Sequence, residues 1–328
     1  MPEKDTVMQP NIFWDGGETK RFHCDAMGSE IFRLFLVNIL LSMVTVGLYR
    51  FWGKTRVRQY LWSQISFDND GFQYTGRGGE LFRGFLGALG IFACLVVMSE
   101  GLDYGLSLIA PGVERTVAIA FAVTLYLLAG IGAYSARRYL LSRTCWRSIR
   151  FGLSGSSGTY AKKVLYSQLV NILTLGLSSP FRRNHLTSYL LNNTWFGSEQ
   201  FVYDGKGREM FGHFLLAYVL TIPTLGLIWF WYKAAEYRYI AAHTQFQGAC
   251  FAVTLSGSQL LRLTLGNWLL LLGTLGLAYP LTLLRKARAL CLHLTVEGPV
   301  TYEVIAQCEQ PASSVGEGLI GVFGMNEV

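Results

Sequence analysis

The chain of 328 residues is 51% hydrophobic and only 15% charged, with a net charge of +7 and a mean hydropathy of +0.32. Soluble domains carry about 25% charged residues, so this composition excludes an ordinary water-soluble globule and points to a membrane protein. The positive excess fits membrane topology and anionic headgroups, and no nucleic-acid partner is expected.

Residues 1–20 form a polar segment of mixed charge with no apolar run behind a basic start, so no secretory signal is expected. From there the chain is punctuated by uncharged runs at Leu34–Tyr49, Gly84–Ser99, Thr116–Ala136, Val164–Phe181, Phe214–Tyr232 and Leu263–Leu284. Several approach the roughly 20 residues a helix needs to cross a bilayer, and six membrane segments are expected.

The runs belong to a recurring pattern. Phe22, Phe72, Phe151, Phe201 and Phe251 are spaced 50, 79, 50 and 50 residues apart, and Thr45, Thr124, Thr174, Thr224 and Thr274 are spaced 79, 50, 50 and 50. Around four of these threonines the chain reads TVGL or TLGL; around Thr124 it reads TLYL. Such periodicity predicts tandem units: 21–70, 71–149 with an insertion, 150–199, 200–249 and 250–301, one membrane domain over 21–301. In each unit a Gly or Ser followed by Glu, Gln or Thr opens a helix of about 16–20 apolar residues. The T-L-G-L turn follows, then a second helix rich in aromatics and cations. Aromatic and β-branched residues around four-residue turns (DNDG, GSEQ, EGPV) predict a short β-hairpin joining each unit to the next. The tail, 302–328, reads as flexible. The expected fold is therefore an all-α polytopic membrane protein, five tandem helix hairpins of about fifty residues linked by short β-hairpins.

The stretch LYRFWGKTRVRQYLW, followed by a hairpin and FQYTGRGGELFRGFL, resembles the YjgN-like family of bacterial inner-membrane proteins, a domain of unknown function. Echoes recur at Phe201–Leu215 and Leu227–Phe246, whereas the third and fifth units depart from the pattern at PFRRNHLTSYLL and YPLTLLRKARAL. The resemblance implies a multi-pass protein of the inner membrane and supplies no activity or substrate.

The second helices carry the candidate functional residues: Lys54, Arg56 and Arg58; Arg137 and Arg138; Arg182 and Arg183; Lys233 and Arg238; Arg285 and Arg288. If both helices of every unit insert, only Arg115 of the 28 Lys and Arg residues lies in a loop on the turn side, so the β-hairpins and the C-terminus are expected in the cytoplasm. Arg50, Lys54 and Arg58 then share one helical stripe, and Arg56 faces elsewhere. A cation within the bilayer needs a watery cavity or a partner. Two readings stay open. The first is a transporter or channel that passes a small anionic solute through a cation-lined cavity. The second is a non-transporting, membrane-organising protein whose basic aromatic helices snorkel and hold anionic lipids or a partner.

Glu30, Glu80 and Glu209 stand at helix starts, where capping competes with proton coupling as their role. The histidines have no metal-ligand spacing, and the six cysteines read as free thiols. GRGGE at Gly76–Glu80 lacks the lysine and serine of a phosphate loop. No catalytic constellation is visible, and neither an enzyme nor a cofactor is expected. Membrane lipids are the expected partners, and an oligomer is left open.

Overall fold

The computed structural model describes residues 19–107, 114–299, 305 and 306. The predicted polar segment 1–20 lies outside the described residues except for its last two, and the predicted flexible tail 302–328 lies outside except for Ile305 and Ala306.

The turns set the architecture. In the first pair of helices, α1 (Gly28–Val44) and α2 (Arg50–Ser63), the break falls at Thr45. The Thr45 hydroxyl donates to the Leu41 carbonyl at 2.8 Å and accepts from the Tyr49 amide at 2.9 Å. Val46 and Gly47 then take left-handed φ values of 52° and 84°. Glycine reaches that region without the penalty a side chain carries. The same turn recurs at Leu175–Gly176, Leu225–Gly226 and Leu275–Gly276. It separates α5 (Ser157–Leu173) from α6 (Ser179–Leu191), α7 (Gly207–Val219) from α8 (Ile228–Ala242), and α9 (Gly257–Gly273) from α10 (Tyr279–His293). Thr124 is followed by Leu-Tyr instead. With no glycine to turn on, the helix runs straight through it: α3 (Gly78–Ser107) and α4 (Glu114–Arg143) are each 30 residues long.

Each returning helix ends at a strand. The strands are β1 (Thr19–Cys24), β2 (Ile65–Phe67), β3 (Asp70–Tyr74), β4 (Thr144–Trp146), β5 (Ile149–Leu153), β6 (Thr194–Phe196), β7 (Glu199–Gln200), β8 (Val202–Tyr203), β9 (Thr244–Phe246), β10 (Ala249–Val253) and β11 (Leu294–Glu297). The hairpin loops contract to two residues, with Asp68 and Asn69 or Arg147 and Ser148 both at positive φ, the primed turn that matches strand twist. Each hairpin also pairs with its neighbours on both sides, giving one antiparallel sheet in the order β7-β6-β5-β4-β3-β2-β1-β11-β10-β9-β8. Its two ends, β7 and β8, are separated only by Phe201, whose amide still bonds to the Thr194 carbonyl of β6 at 3.0 Å, so the sheet comes nearly full circle.

The landmark phenylalanines fill this ring. Phe22 lies opposite Phe67, Phe72 opposite Trp146, Phe151 opposite Phe196 and Phe251 opposite Val296. These cross-strand pairs, with Phe201, Phe246 and Ile305, form one aromatic core. The helices stand around it, each packed on the next in chain order, and α10 returns to α1.

The all-α polytopic expectation is therefore corrected on two counts. Eleven strands build a near-closed barrel sheet, not isolated linkers. Among the described residues, only α3 and α4 are long and apolar enough to cross a membrane. The six uncharged runs misled because four of them pass through a turn: Val164–Phe181, for example, joins the end of α5, the Thr174 turn and the start of α6. Gly84–Ser99 and Thr116–Ala136 each stay within one helix.

Candidate anion-binding cavity

The cations of the returning helices divide into three groups by what they touch. The first is structural. Arg138 Nε donates to the Leu153 carbonyl at 2.9 Å, Arg238 to Leu255 at 3.1 Å and Arg288 to Ala26 at 2.6 Å. Gln59, at the matching position of α2, donates to Gly76 at 3.1 Å. Each of these bonds fastens a returning helix to the strand exit of the following unit. The next residue along, a tyrosine, fastens its own unit: Tyr60 to Met27, Tyr189 to Ser156 and Tyr239 to Lys206.

The second group is neutralised. Arg183 of α6 and Lys233 of α8 meet Glu236 at 2.6 and 3.2 Å, and the Glu236 side chain is only 6% exposed. Sequence reading missed Glu236. The signal was present: it is the sole acid on the short returning helices α2, α6, α8 and α10. A buried carboxylate needs its partners close, and Glu236 of α8 ties its own helix to α6, the returning helix of the preceding unit, through opposite charge.

The third group faces open space. A cavity of about 470 Å³ lies between α1, α2 and α10, with Leu140 of α4 closing one side. Arg50, Lys54 and Arg58 line it as one stripe, i, i+4 and i+8 on α2. Its other walls are mostly apolar, among them Phe35, Ile39, Val57, Leu61 and Leu283. Among the described residues no carboxylate pairs with these three cations, and Arg58 Nη1 is buried without a hydrogen-bond partner. Asn38 enters from α1, giving Nδ2 to the Gly53 carbonyl at 3.3 Å and leaving its buried Oδ1 unmatched. Three like charges over an oily floor repel one another and favour an anion.

The remaining candidates lie elsewhere. Arg56 turns away from this cavity into a separate groove beside α3. Arg137 and Arg182 each leave a buried Nε unpartnered, and Arg182 borders a third pocket, between α5, α6 and α7. Arg285 is exposed near Gly266. The candidate cations thus border at least three separate pockets: Arg50, Lys54 and Arg58 one, Arg56 a second and Arg182 a third. Of the helix-start acids, Glu80 accepts from Tyr139 and Arg143 at 2.8 Å each, and Glu209 accepts from Tyr239 at 2.7 Å. Glu30 stands exposed in the first turn of α1. Among the described residues no cluster of His, Cys, Asp and Glu fits a metal ion.

A ring of helices thus stands on an aromatic β-core, two of them, α3 and α4, long and apolar enough to cross a membrane, with a cation-striped, mostly apolar cavity between α1, α2 and α10. The sequence matches the family described as "Bacterial protein of unknown function (DUF898)" over residues 19–227 and 214–322, and the chain belongs to that family. It is similar to the inner membrane protein YjgN of Salmonella typhimurium strain LT2, 26% identical over 129 residues, and to that of Escherichia coli O157:H7, 25% identical over 129 residues. Each alignment covers 39% of this chain and 30% of the relative. No solved structure gives a significant match. The relatives' names and the two long apolar helices together support a membrane protein.

Proposed function

We propose that the chain is an inner-membrane protein that crosses the bilayer through α3 and α4 and holds an anionic amphiphile, such as a lipid, in the cavity beside α2. The observation that carries this reading is the stripe of Arg50, Lys54 and Arg58 over apolar walls, with no carboxylate among the described lining residues to neutralise it. An acyl chain suits the walls and an anionic head suits the stripe. The β-ring and the C-terminal segment face the cytoplasm in this reading, because of the 28 Lys and Arg residues only Arg115 falls, by the sequence, in a loop on the turn side. The five units are read as copies of one fifty-residue ancestor, and no catalytic role is assigned.

The test is lipid retention. Purified wild-type protein is expected to keep an anionic phospholipid through detergent exchange, as read by native mass spectrometry. The Lys54→Gln/Arg58→Gln double variant should retain about tenfold less, in line with the loss of two charge-assisted contacts. Equal retention would sink the proposal.

Passage of a small anionic solute is the second reading, favoured by the same unpaired stripe. It is weakened because Arg138, Arg238 and Arg288 serve backbone carbonyls and Arg183 and Lys233 serve Glu236. Anion uptake into proteoliposomes that Lys54→Gln abolishes would put it first.

A further inference from the structure

Opposite the cavity, on the other side of α2, lies a groove of about 490 Å³. Arg56 of α2, Arg77 of the loop after β3 and Arg83 of α3 line it, together with Trp52 and the glycines of GRGGE. Glu80 also borders it, but its two oxygens are already engaged by Tyr139, Arg143 and the Arg77 amide. A Cβ built on Gly79 would meet nothing within 4 Å, so the space above the loop is open.

The fold does not require this concentration of charge. Counting from the landmark threonines and phenylalanines, the positions of Arg56, Arg77 and Arg83 hold Ser135, Ser156 and Lys162 at the next junction. They hold His185, Lys206 and Gly212 at the third, Ala235, Ser256 and Arg262 at the fourth, and Arg285, Met27 and Arg33 at the last. The junctions are built alike. Gly78 packs on Trp52, Gly207 on Phe181 and Gly257 on Trp231, so the three arginines are a property of this groove and not of the scaffold.

Its depth points to the ligand. The uncharged stretch of α3 begins at Gly84, immediately after Arg83, so the arginines stand where the spanning helix enters the apolar layer. Trp52 sits beside them, as tryptophan does at a membrane interface. Phosphate groups of lipids occupy that level, and guanidinium forks match phosphate oxygens in pairs. The first amides of α3 add donors of the same sign.

We propose that the α2–α3 groove is a phosphate site, and that it takes the headgroup of an anionic phospholipid. It rests on the membrane reading above but not on occupancy of the cavity.

The experiment titrates the intact protein in detergent with dioleoyl phosphatidylglycerol, dioleoyl phosphatidylcholine and inorganic phosphate separately, read by native mass spectrometry. Wild type is expected to bind phosphatidylglycerol at least about tenfold tighter than an Arg56→Gln/Arg77→Gln/Arg83→Gln variant, with phosphatidylcholine bound equally by both. Lys54→Gln/Arg58→Gln should leave this difference intact, which separates failure of the groove from failure of the cavity. The three arginines are exposed, so the triple variant should elute as the folded species. An Arg83→Lys variant keeps the charge and should retain part of the preference. Equal phosphatidylglycerol binding by wild type and triple variant would overturn the proposal. Arginine-dependent binding of inorganic phosphate alone, with no preference between the two lipids, would overturn the lipid assignment and leave a free-phosphate site.

Discussion

Glu236 and its two cations are the most exacting contacts among the side chains. Removing the carboxylate's charge strands Arg183 of α6 and Lys233 of α8 without the partner they share. Breaking a fully buried pair costs about 3–5 kcal/mol. Arg183 and Lys233 are 42% and 34% exposed, so solvent screens part of the loss and Glu236→Gln is expected to cost about 2 kcal/mol. Thermal unfolding in detergent measures it. A double change that also replaces Arg183 with Met should recover part of the loss, because it removes one of the stranded charges. The cations were legible in the sequence as a set, but their partners were not. Charge type and spacing say that Arg138, Arg183 and Arg58 lie on similar helices. Whether each meets a carbonyl, a carboxylate or a cavity depends on what the neighbouring unit presents, and no local pattern carries that information.

At the scale of the elements, glycine decides which surfaces touch. A Cβ on Gly257 would lie 2.6 Å from the Trp231 ring and 2.7 Å from its backbone, closer than real contacts allow. Gly257→Ala is therefore expected to destabilise by about 2 kcal/mol through forced separation of α8 and α9. Gly87→Ala, inside α3 with nothing within 4 Å of its added carbon, should be neutral or stabilise by up to about 1 kcal/mol. Opposite signs in paired unfolding measurements would support this packing; a loss at both positions would contradict it. The helix-turn-helix-hairpin order could be read from the landmarks, including the turn threonine and its glycine. The helix lengths could not, because an uncharged run continues through a turn made of leucine, glycine and threonine. The ring of strands was also hidden. Each hairpin has its own signal, but its pairing with the next hairpin joins strands from the two ends of a unit, far apart in the chain, as Phe72 and Trp146 are across α3 and α4.

For the whole molecule, helix length sets how it meets a bilayer. The 30 residues of α3 and α4 extend about 45 Å each, more than the roughly 30 Å apolar layer. In the third unit, by contrast, about ten residues separate Lys163 from the turn, some 15 Å, or half that layer. The turn leucines Leu225 and Leu275 are 92% and 94% exposed, as lipid-facing tips would be. The short hairpins are therefore expected to end inside the bilayer. Single cysteines at Thr174, Thr224 and Thr274, with the native cysteines replaced, should resist a membrane-impermeant maleimide from either side, whereas cysteines at Asp70 and Gly248 should label from the cytoplasm. Tips that label from outside would mean that every hairpin crosses. The closing pair of the ring has a consequence for synthesis. β1 at Thr19–Cys24 finds one of its two partners in β11 at Leu294–Glu297. At about 5–20 residues per second, the first strand waits on the order of tens of seconds for the last. Until then the growing chain is an open bracelet, with one bare strand edge at each end and its aromatic filling uncovered. An insertion factor or chaperone that shields that edge would have its moment before the clasp shuts.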